Sequence, residues 1–461
     1  MTLSDPMLIY LFLSLLFFLA LLRPQLAILA CLAILPTYLL KLSLFGIPTT
    51  VLELSIYATF IGSFISLFFL TLILSRKGER VGVRDFFWPI LAWLSITLIS
   101  ALFSENTKIA LGGWKAWVFD PILVLILITR FFKPADLWKI VASLSVSSAV
   151  LSFYGLIEYF VRPEQLGDGR LDSVFDPANY HAMLVGPIIV LAIGFILNQQ
   201  TPRAWKYCLG IASAINLIAL IFTFSYGGYL AVLGGLIILG FLTLNNIWKK
   251  RMIFGALVIF IIFLALASPT KKFQDLFEFQ ERSSGHARLE IWQTSWLIFK
   301  EHPIIGVGLN NFEDVYRETI PRVAFPPLEW LVAQPHNLYL ALLTQIGLLG
   351  FAAFAWIIIQ FFKSAFRQSN EIFTTHCLLL ASMSTILIHG LVDTPYFKND
   401  LSVIFWTVIA LSIVLRLEKD KKICYNTDMP SSENSTLAIT APKFNWVKSR
   451  RDVKLLILRI F

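Results

Sequence analysis

The sequence predicts an all-α polytopic membrane protein. About twelve or thirteen transmembrane helices are expected, with a large external loop containing short amphipathic helices. Three observations carry this. Hydrophobic residues make up 57% of the 461 residues and charged residues only 15%, against roughly 25% charged in an ordinary soluble protein. Mean hydropathy is +0.74. Apolar runs long enough to cross a hydrocarbon core recur along the whole chain. Length alone would suggest about three soluble domains, but three such domains could not bury this much apolar surface. Disorder is excluded for most of the chain, and so is a secreted disulfide scaffold.

The runs lie near 8–22, 25–40, 50–75, 86–103, 110–131, 138–161, 179–198, 206–223, 227–245, 252–267, 337–362, 372–391 and 400–416. Only Arg23-Pro24 separates the first two, which are short. With one of them re-entrant the count is twelve, otherwise thirteen. No cleavable signal peptide is expected, because the first run lacks a basic n-region and a small-residue cleavage site.

Lys and Arg in short loops set the orientation. One alternating set of loops carries fifteen: Arg23, Arg76, Lys77, Arg80, Arg84, Arg130, Lys133, Lys139, Arg203, Lys206, Lys249, Lys250, Arg251, Lys363 and Arg367. The other carries six: Lys41, Lys108, Lys115, Arg162, Arg170 and Lys398. The first set is therefore read as cytoplasmic. The chain divides into an N-terminal transmembrane bundle, 1–267, with a short external loop at about 162–178. A large external loop, 268–336, follows. C-terminal transmembrane helices occupy 337–416, and 417–461 form a cytoplasmic tail. The tail reads as a polar linker to about 446, then a short basic helix with Lys448, Arg450, Arg451 and Lys454 ahead of Leu455-Leu456-Ile457-Leu458.

The net charge of +9 fits this sorting of cations beside anionic headgroups, so membrane lipids are the expected partners and nucleic acid is not. Cys31, Cys208 and Cys377 sit in or beside apolar runs, and with Cys424 none pairs at ligand spacing. No disulfide framework and no zinc site are expected. Five of the six histidines, His181, His286, His302, His336 and His389, fall on or near the external face, and His376 does not. Solvating loops have no need of histidine, so the skew points to chemistry on that face.

Within the large loop, Ser283-Ser284 can cap a helix from about His286 to Lys300. Leu289, Trp292, Trp296 and Phe299 form one apolar stripe, as on a helix lying on the membrane. Arg288 stands at the helix start, where its guanidinium and the positive helix end would reinforce each other against an anion. Then comes His302-Pro303-Ile304-Ile305-Gly306-Val307-Gly308. It is neither a Walker loop nor a dinucleotide fingerprint; a turn between two surface helices and a phosphate cradle both fit it. The loop closes on Pro335-His336-Asn337, which puts His336 at the water–membrane boundary. There an imidazole is either structural or a general base. The shorter loop, Gly167 to His181, is rich in turn formers and carries the single Arg170. His389-Gly390-Leu391-Val392-Asp393 lies on the same face. Asp393 could orient the His389 imidazole, or the two could form an ordinary ion pair. Glu53, Asp120 and Glu158 lie in or near spans, with Lys115 close to Asp120. Either they line a polar cavity, or they pair between helices.

This ordered set of motifs resembles the O-antigen ligase and O-antigen polymerase superfamily, bacterial membrane glycosyltransferases of surface polysaccharide assembly. The pieces are the Arg170-to-Asn179 loop, Arg288-x-x-x-Trp292, and His302-Pro-x-x-Gly306-x-Gly308. Pro335-His336-Asn337, Gly347-Leu348-Leu349-Gly350 and His389-Gly390-x-x-Asp393 complete it. The resemblance implies a GT-C-like helical fold in the bacterial cytoplasmic membrane, with the active site facing outside. It implies a glycan donor on undecaprenyl pyrophosphate and a glycan, lipid or protein acceptor, as in lipopolysaccharide assembly. A cofactor and a metal are not expected; the external loops hold no Asp-x-Asp pair and no His/Glu cluster at ligand spacing. His336 would be the catalytic base. Arg170 and Arg288 would bind the donor pyrophosphate, with Asn179, His302, Asn337, His389 and Asp393 in support. Where relatives often carry Ser-Arg-Gly, this chain has Ser225-Tyr226-Gly227, so a phosphate role for that Arg is missing or displaced. Polymerase chemistry with the same donor remains open, as does a transporter or flippase of lipid-linked glycans.

Overall fold

The computed structural model describes residues 6–44, 47–73, 84–166, 169–175, 177–267, 284–366 and 370–427. The expected linker and basic helix of 428–461, the segment 268–283 and the capping residue Ser283 lie outside them.

The chain is an all-α polytopic membrane protein with one small hairpin. Among the described residues, nine helical stretches are long and apolar enough to cross a membrane, and three apolar helices are shorter. The first two runs become α1 (Pro6–Leu22) and the ten-residue α2 (Pro24–Ala33). The expected span 25–40 is therefore corrected. Pro36 has no N–H to continue the ladder, and the chain passes through a 3₁₀ turn (Leu35–Leu39) into the antiparallel pair β1 (Lys41–Leu44) and β2 (Ile47–Thr50).

Next come α3 (Val51–Ile73), α4 (Arg84–Leu102) and α5 (Thr107–Trp114). A π-helical turn, Lys115–Phe119, joins α5 to α6 (Asp120–Phe131). Pro121 explains the turn. It cannot donate to the carbonyl of Trp117, four residues back, and that carbonyl instead accepts the Tyr396 hydroxyl at 2.8 Å.

Then follow α7 (Leu137–Val161), α8 (Asn179–Leu197), α9 (Arg203–Phe222), α10 (Tyr226–Thr243) and α11 (Asn246–Ala267). Two further helices, α12 (Ser284–Glu301) and α13 (Phe312–Thr319), precede α14 (Leu338–Phe366), α15 (Asn370–His389) and α16 (Asn399–Thr427). The last helix continues as far as Thr427, past the boundary expected at 416.

The hub is α16, whose membrane stretch is 89% buried, which accounts for its being apolar on every face. It packs on α6, while α15 packs on α8 and α10, and α4 on α14. Close approach of α10 and α15 depends on Gly235, where a Cβ would fall 2.0 Å from Thr385 Oγ1. Trp93, Phe354, Tyr396, Phe405 and Trp406 form an aromatic knot between α4, α14 and α16.

Around α12 and α13 a smaller core forms from Ile291, Ile298, Val307, Phe312, Tyr316, Ile320 and Val332. The inward face of α12 is thus Ala287, Ile291, Thr294, Ser295 and Ile298, with Trp292 packed beside it. Leu289 and Trp296 point outward, 40% and 46% exposed.

Candidate functional site

The glycine motif is a backbone joint, which corrects the phosphate-cradle alternative. The turn after α12 lies directly on α14, with Val307 N–H donating to Thr344 O and Gly308 N–H to Gln345 O, both at 2.9 Å. In return Leu348 and Leu349 N–H donate to Pro303 O and Ile304 O. Gly347 breaks α14 there, at φ +65°. A Cβ on Gly347 would meet the Ile304 carbonyl at 2.3 Å, and one on Gly306 the Gln345 carbonyl carbon at 2.4 Å. Only glycine lets two backbones meet so closely.

The start of α14 is zipped to the end of α15. Leu338 N–H donates to Gly390 O at 2.8 Å, Asn337 Nδ2 to Leu391 O at 2.9 Å, and Tyr339 Oη to Leu387 O at 2.9 Å. Asn337 Oδ1 meanwhile accepts the N–H groups of Tyr339 and Leu340, an N-cap. Asn337 therefore works on the backbone. Gly390 leaves room for Leu338, whose Cβ would lie 3.0 Å from an added one.

This joint brings His336 to Asp393. His336 holds a left-handed backbone, φ +50°, a conformation costly for a non-glycine residue and frequent at functional sites. Its Nδ1 lies 3.2 Å from Asp393 Oδ1. Asp393 is 4% exposed. Its Oδ1 also accepts Thr394 N–H at 2.9 Å, and its Oδ2 accepts Asn179 Nδ2 at 2.9 Å. Burial pushes the Asp393 carboxyl up. The hydrogen bond and charge of His336 push it down, helped by His389 and Arg288, and these prevail, holding it at about 2. An ionised carboxylate only accepts, so Nδ1 carries the proton of this bond and Nε2 is the ring nitrogen left to face a substrate.

Asn179 opens α8 and continues the chain: its Oδ1 accepts Arg170 Nη2 at 2.6 Å. Arg170 Nε donates to Thr223 O at 2.7 Å, and Leu171 N–H to Phe222 O at 2.9 Å. The last carbonyls of α9 have no partner within the helix, so the 169–175 segment docks on them. Arg288 opens the second turn of α12; its side chain makes no hydrogen bond or ion pair among the described residues, yet it is near enough for its charge to lower Asp393.

Of the predicted residues, Arg170, Asn179, His336 and Asp393 form one hydrogen-bonded chain, and the charge of Arg288 reaches Asp393. Two expectations are corrected. Asp393 orients His336 rather than His389: its carboxylate oxygens are taken by His336, Thr394 N–H and Asn179, and no described hydrogen bond joins it to the His389 ring. His389 is buried beside Gly227, its Nε2 without a hydrogen-bond partner among the described residues. His302 stands exposed, and no described side-chain hydrogen bond joins it to the site. Elsewhere, His181 is buried against Ser152, 3.0 Å away, and His286 pairs with Glu290. Glu53 pairs with Lys115 and accepts Asn399 Nδ2 at 3.0 Å, and Tyr57 donates to Asp120 at 2.7 Å. These are the helix-to-helix pairings.

Sequence reasoning missed Lys398. Its ammonium stands over the Tyr180 ring at 3.6 Å, the Phe175 ring at 4.7 Å and the Tyr38 ring at 5.5 Å. Burial lowers its pKa from the ordinary value, and Asp400 offsets part of that. The cation joins the 169–175 segment and α8 to the turn that carries Asp393.

Residues 211–355 match the O-antigen ligase family model. That stretch holds Arg288, the glycine joint, His336 and Asn337, and it supports the resemblance read from the motifs. The chain is also 25% identical over 227 residues to a Rickettsia bellii (strain RML369-C) protein named "Putative polysaccharide ligase", covering 48% of this chain and 55% of that protein. The chain thus spans about half the length of this curated relative. Arg170, Asn179 and Asp393 fall outside the O-antigen ligase match, and it is the hydrogen-bonded chain that connects them to His336.

Proposed function

We propose that the protein is a membrane glycosyltransferase of the O-antigen ligase type. It moves a glycan from undecaprenyl pyrophosphate to an acceptor hydroxyl at the outer face of the bacterial cytoplasmic membrane. The observation that carries this is the chain Arg170–Asn179–Asp393–His336 with Arg288 beside it. It gathers an imidazole and two guanidinium groups at one end of an apolar bundle, which supports this reading.

In the reaction the acceptor oxygen attacks the anomeric carbon while His336 Nε2 takes its proton. The bond from that carbon to the pyrophosphate oxygen breaks, and pyrophosphate leaves with the electron pair. Asp393 holds the ring and stabilises the imidazolium as it forms, as in other His–Asp pairs. Arg170 and Arg288 oppose the charge that develops on the leaving group. One displacement inverts the anomeric centre. General-base assistance contributes about 10²–10⁴-fold.

The test is reconstitution of the full chain with a lipid-linked glycan and candidate acceptors, following undecaprenyl pyrophosphate release and product. Transfer to a distinct acceptor supports the ligase reading. Growth of the glycan on a second lipid-linked repeat makes the protein a polymerase instead. Glycan moving across the bilayer without pyrophosphate release makes it a transporter. Near-normal transfer by membrane-inserted His336→Ala removes the general-base role.

A further inference from the structure

The segment from Val323 to Pro335 is held firmly from below and is apolar on top. Tyr316 Oη donates to Glu329 O at 3.0 Å, Leu328 N–H to Glu290 Oε2 at 3.0 Å, and Trp292 Nε1 to Pro335 O at 3.0 Å. Val332 is buried in the small core, and Gln345 Nε2 donates to Gln334 Oε1 at 2.8 Å. Yet Phe325 is 78% exposed, Trp330 44% and Leu331 65%. The rings of Phe325 and Trp330 stand 6.4 Å apart and perpendicular, at 89°. The core beneath is closed by other residues, so packing does not account for this pair. Aromatic side chains exposed together on an ordered backbone mark a binding surface.

We propose that Phe325 and Trp330 form a platform for the glycan chain of a substrate, a few rings from the reacting bond. This rests on the transfer reading above. Two observations choose a glycan over a lipid surface. First, the exposed groups on the loop that carries the platform and on the helices beneath it include Glu301, Asp314, Glu318 and Glu329. Apart from Arg288 at the site itself, the cations of these elements are engaged: Arg322 with Glu301, Arg317 with Asp314, and Lys300 over the Trp296 ring. Segments that seat on anionic headgroups instead present uncommitted Lys and Arg. A sugar ring fits such a place, because its C–H face stacks on an aromatic face while its rim of hydroxyls meets carboxylate oxygens or water. Second, the platform is continuous with the site. Trp330 lies six residues before His336, no more than roughly 20 Å of extended chain.

The test uses the full chain in lipid nanodiscs. Two probes are prepared from the producing cell: oligosaccharide released by mild acid from the polyprenyl donor, and oligosaccharide cut from the finished envelope polymer. Phe325→Ala combined with Trp330→Ala should weaken binding of at least one fraction about tenfold, without changing the thermal melt. Trp330→Phe should keep most of the affinity. The fraction affected shows whether the platform holds the donor glycan or the acceptor. Unchanged binding of both overturns the proposal. So does quenching of Trp330 by brominated phospholipid, read as the difference from Trp330→Phe, since that places the rings in the membrane. A wild-type protein that binds glycan through these rings and transfers none sinks the transfer reading and leaves the platform standing.

Discussion

His336 Nδ1 and Asp393 Oδ1 meet at 3.2 Å across 57 residues of sequence. The pair acts as a unit, so its members should fail together. Asp393→Asn should lower transfer roughly 10²–10⁴-fold, with donor KM changed far less than kcat. The double variant Asp393→Asn, His336→Ala should be no slower than His336→Ala. Additive losses in steady-state kinetics would mean the two residues work separately.

The pH behaviour of Asp393 follows from its surroundings. Its carboxyl is held at about 2 rather than the ordinary 3.8. A depressed acid lends its full stabilisation above the ordinary value and loses it as pH falls toward the folded value. Between about pH 5 and 8 Asp393 should therefore stay ionised. The infrared difference between wild type and Asp393→Asn should show no protonated-acid C=O band at about pH 5. Such a band would show that burial outweighs His336.

Gly347→Ala should be severe. The substitution places a Cβ 2.3 Å from the Ile304 carbonyl at φ +65°. That backbone, φ +65° with ψ −170°, is essentially confined to glycine and costs another residue about 1–3 kcal/mol, and the turn over Gln345 must also move. Gly210→Ala is the control, because a Cβ there meets nothing within 4 Å. In mid-helix it should be neutral, or stabilising by up to about 1 kcal/mol. Thermal melts of both variants in the same detergent decide this.

Lys398→Met keeps the stem and removes the cation from three aromatic faces. It should cost about 1–2 kcal/mol and speed hydrogen exchange across 169–175. Lys398→Arg should keep both near wild type. Equal exchange in Lys398→Met would show that the rings pack without the charge.

Much of this was legible in the sequence because bilayers impose long apolar runs and sort cations by side. The His336, Arg170, Arg288 and Asp393 motifs could be read for a similar reason: ionisable groups are scarce in such a chain and stand out. What could not be read depends on pairing in space. Asp393 is four residues from His389, which suggests a helical pair, but α15 stops at His389. The large apolar residues of α12 marked one face, but the smaller Ile291 and Ile298 that close the core with α13 gave no comparable signal. Arg170 leans on the carbonyl of Thr223, a group that every residue has and no sequence pattern reveals. Lys398 looked like one more loop lysine until three rings from separate segments closed around it.

The bond from Asn179 to Asp393 spans 214 residues, and this gives the site a schedule. During synthesis the Arg170 segment and the first half of α8 are made early, and their carboxylate partner arrives near the end. Until α15 and α16 are inserted, the amide of Asn179 has no acceptor at this position and His336 has nothing to fix its ring. A chain stalled before Asp393 would hold both arginines and the histidine but no working arrangement of them. The site is therefore assembled only when the bundle is nearly complete, and an unfinished copy at the translocon should be inert.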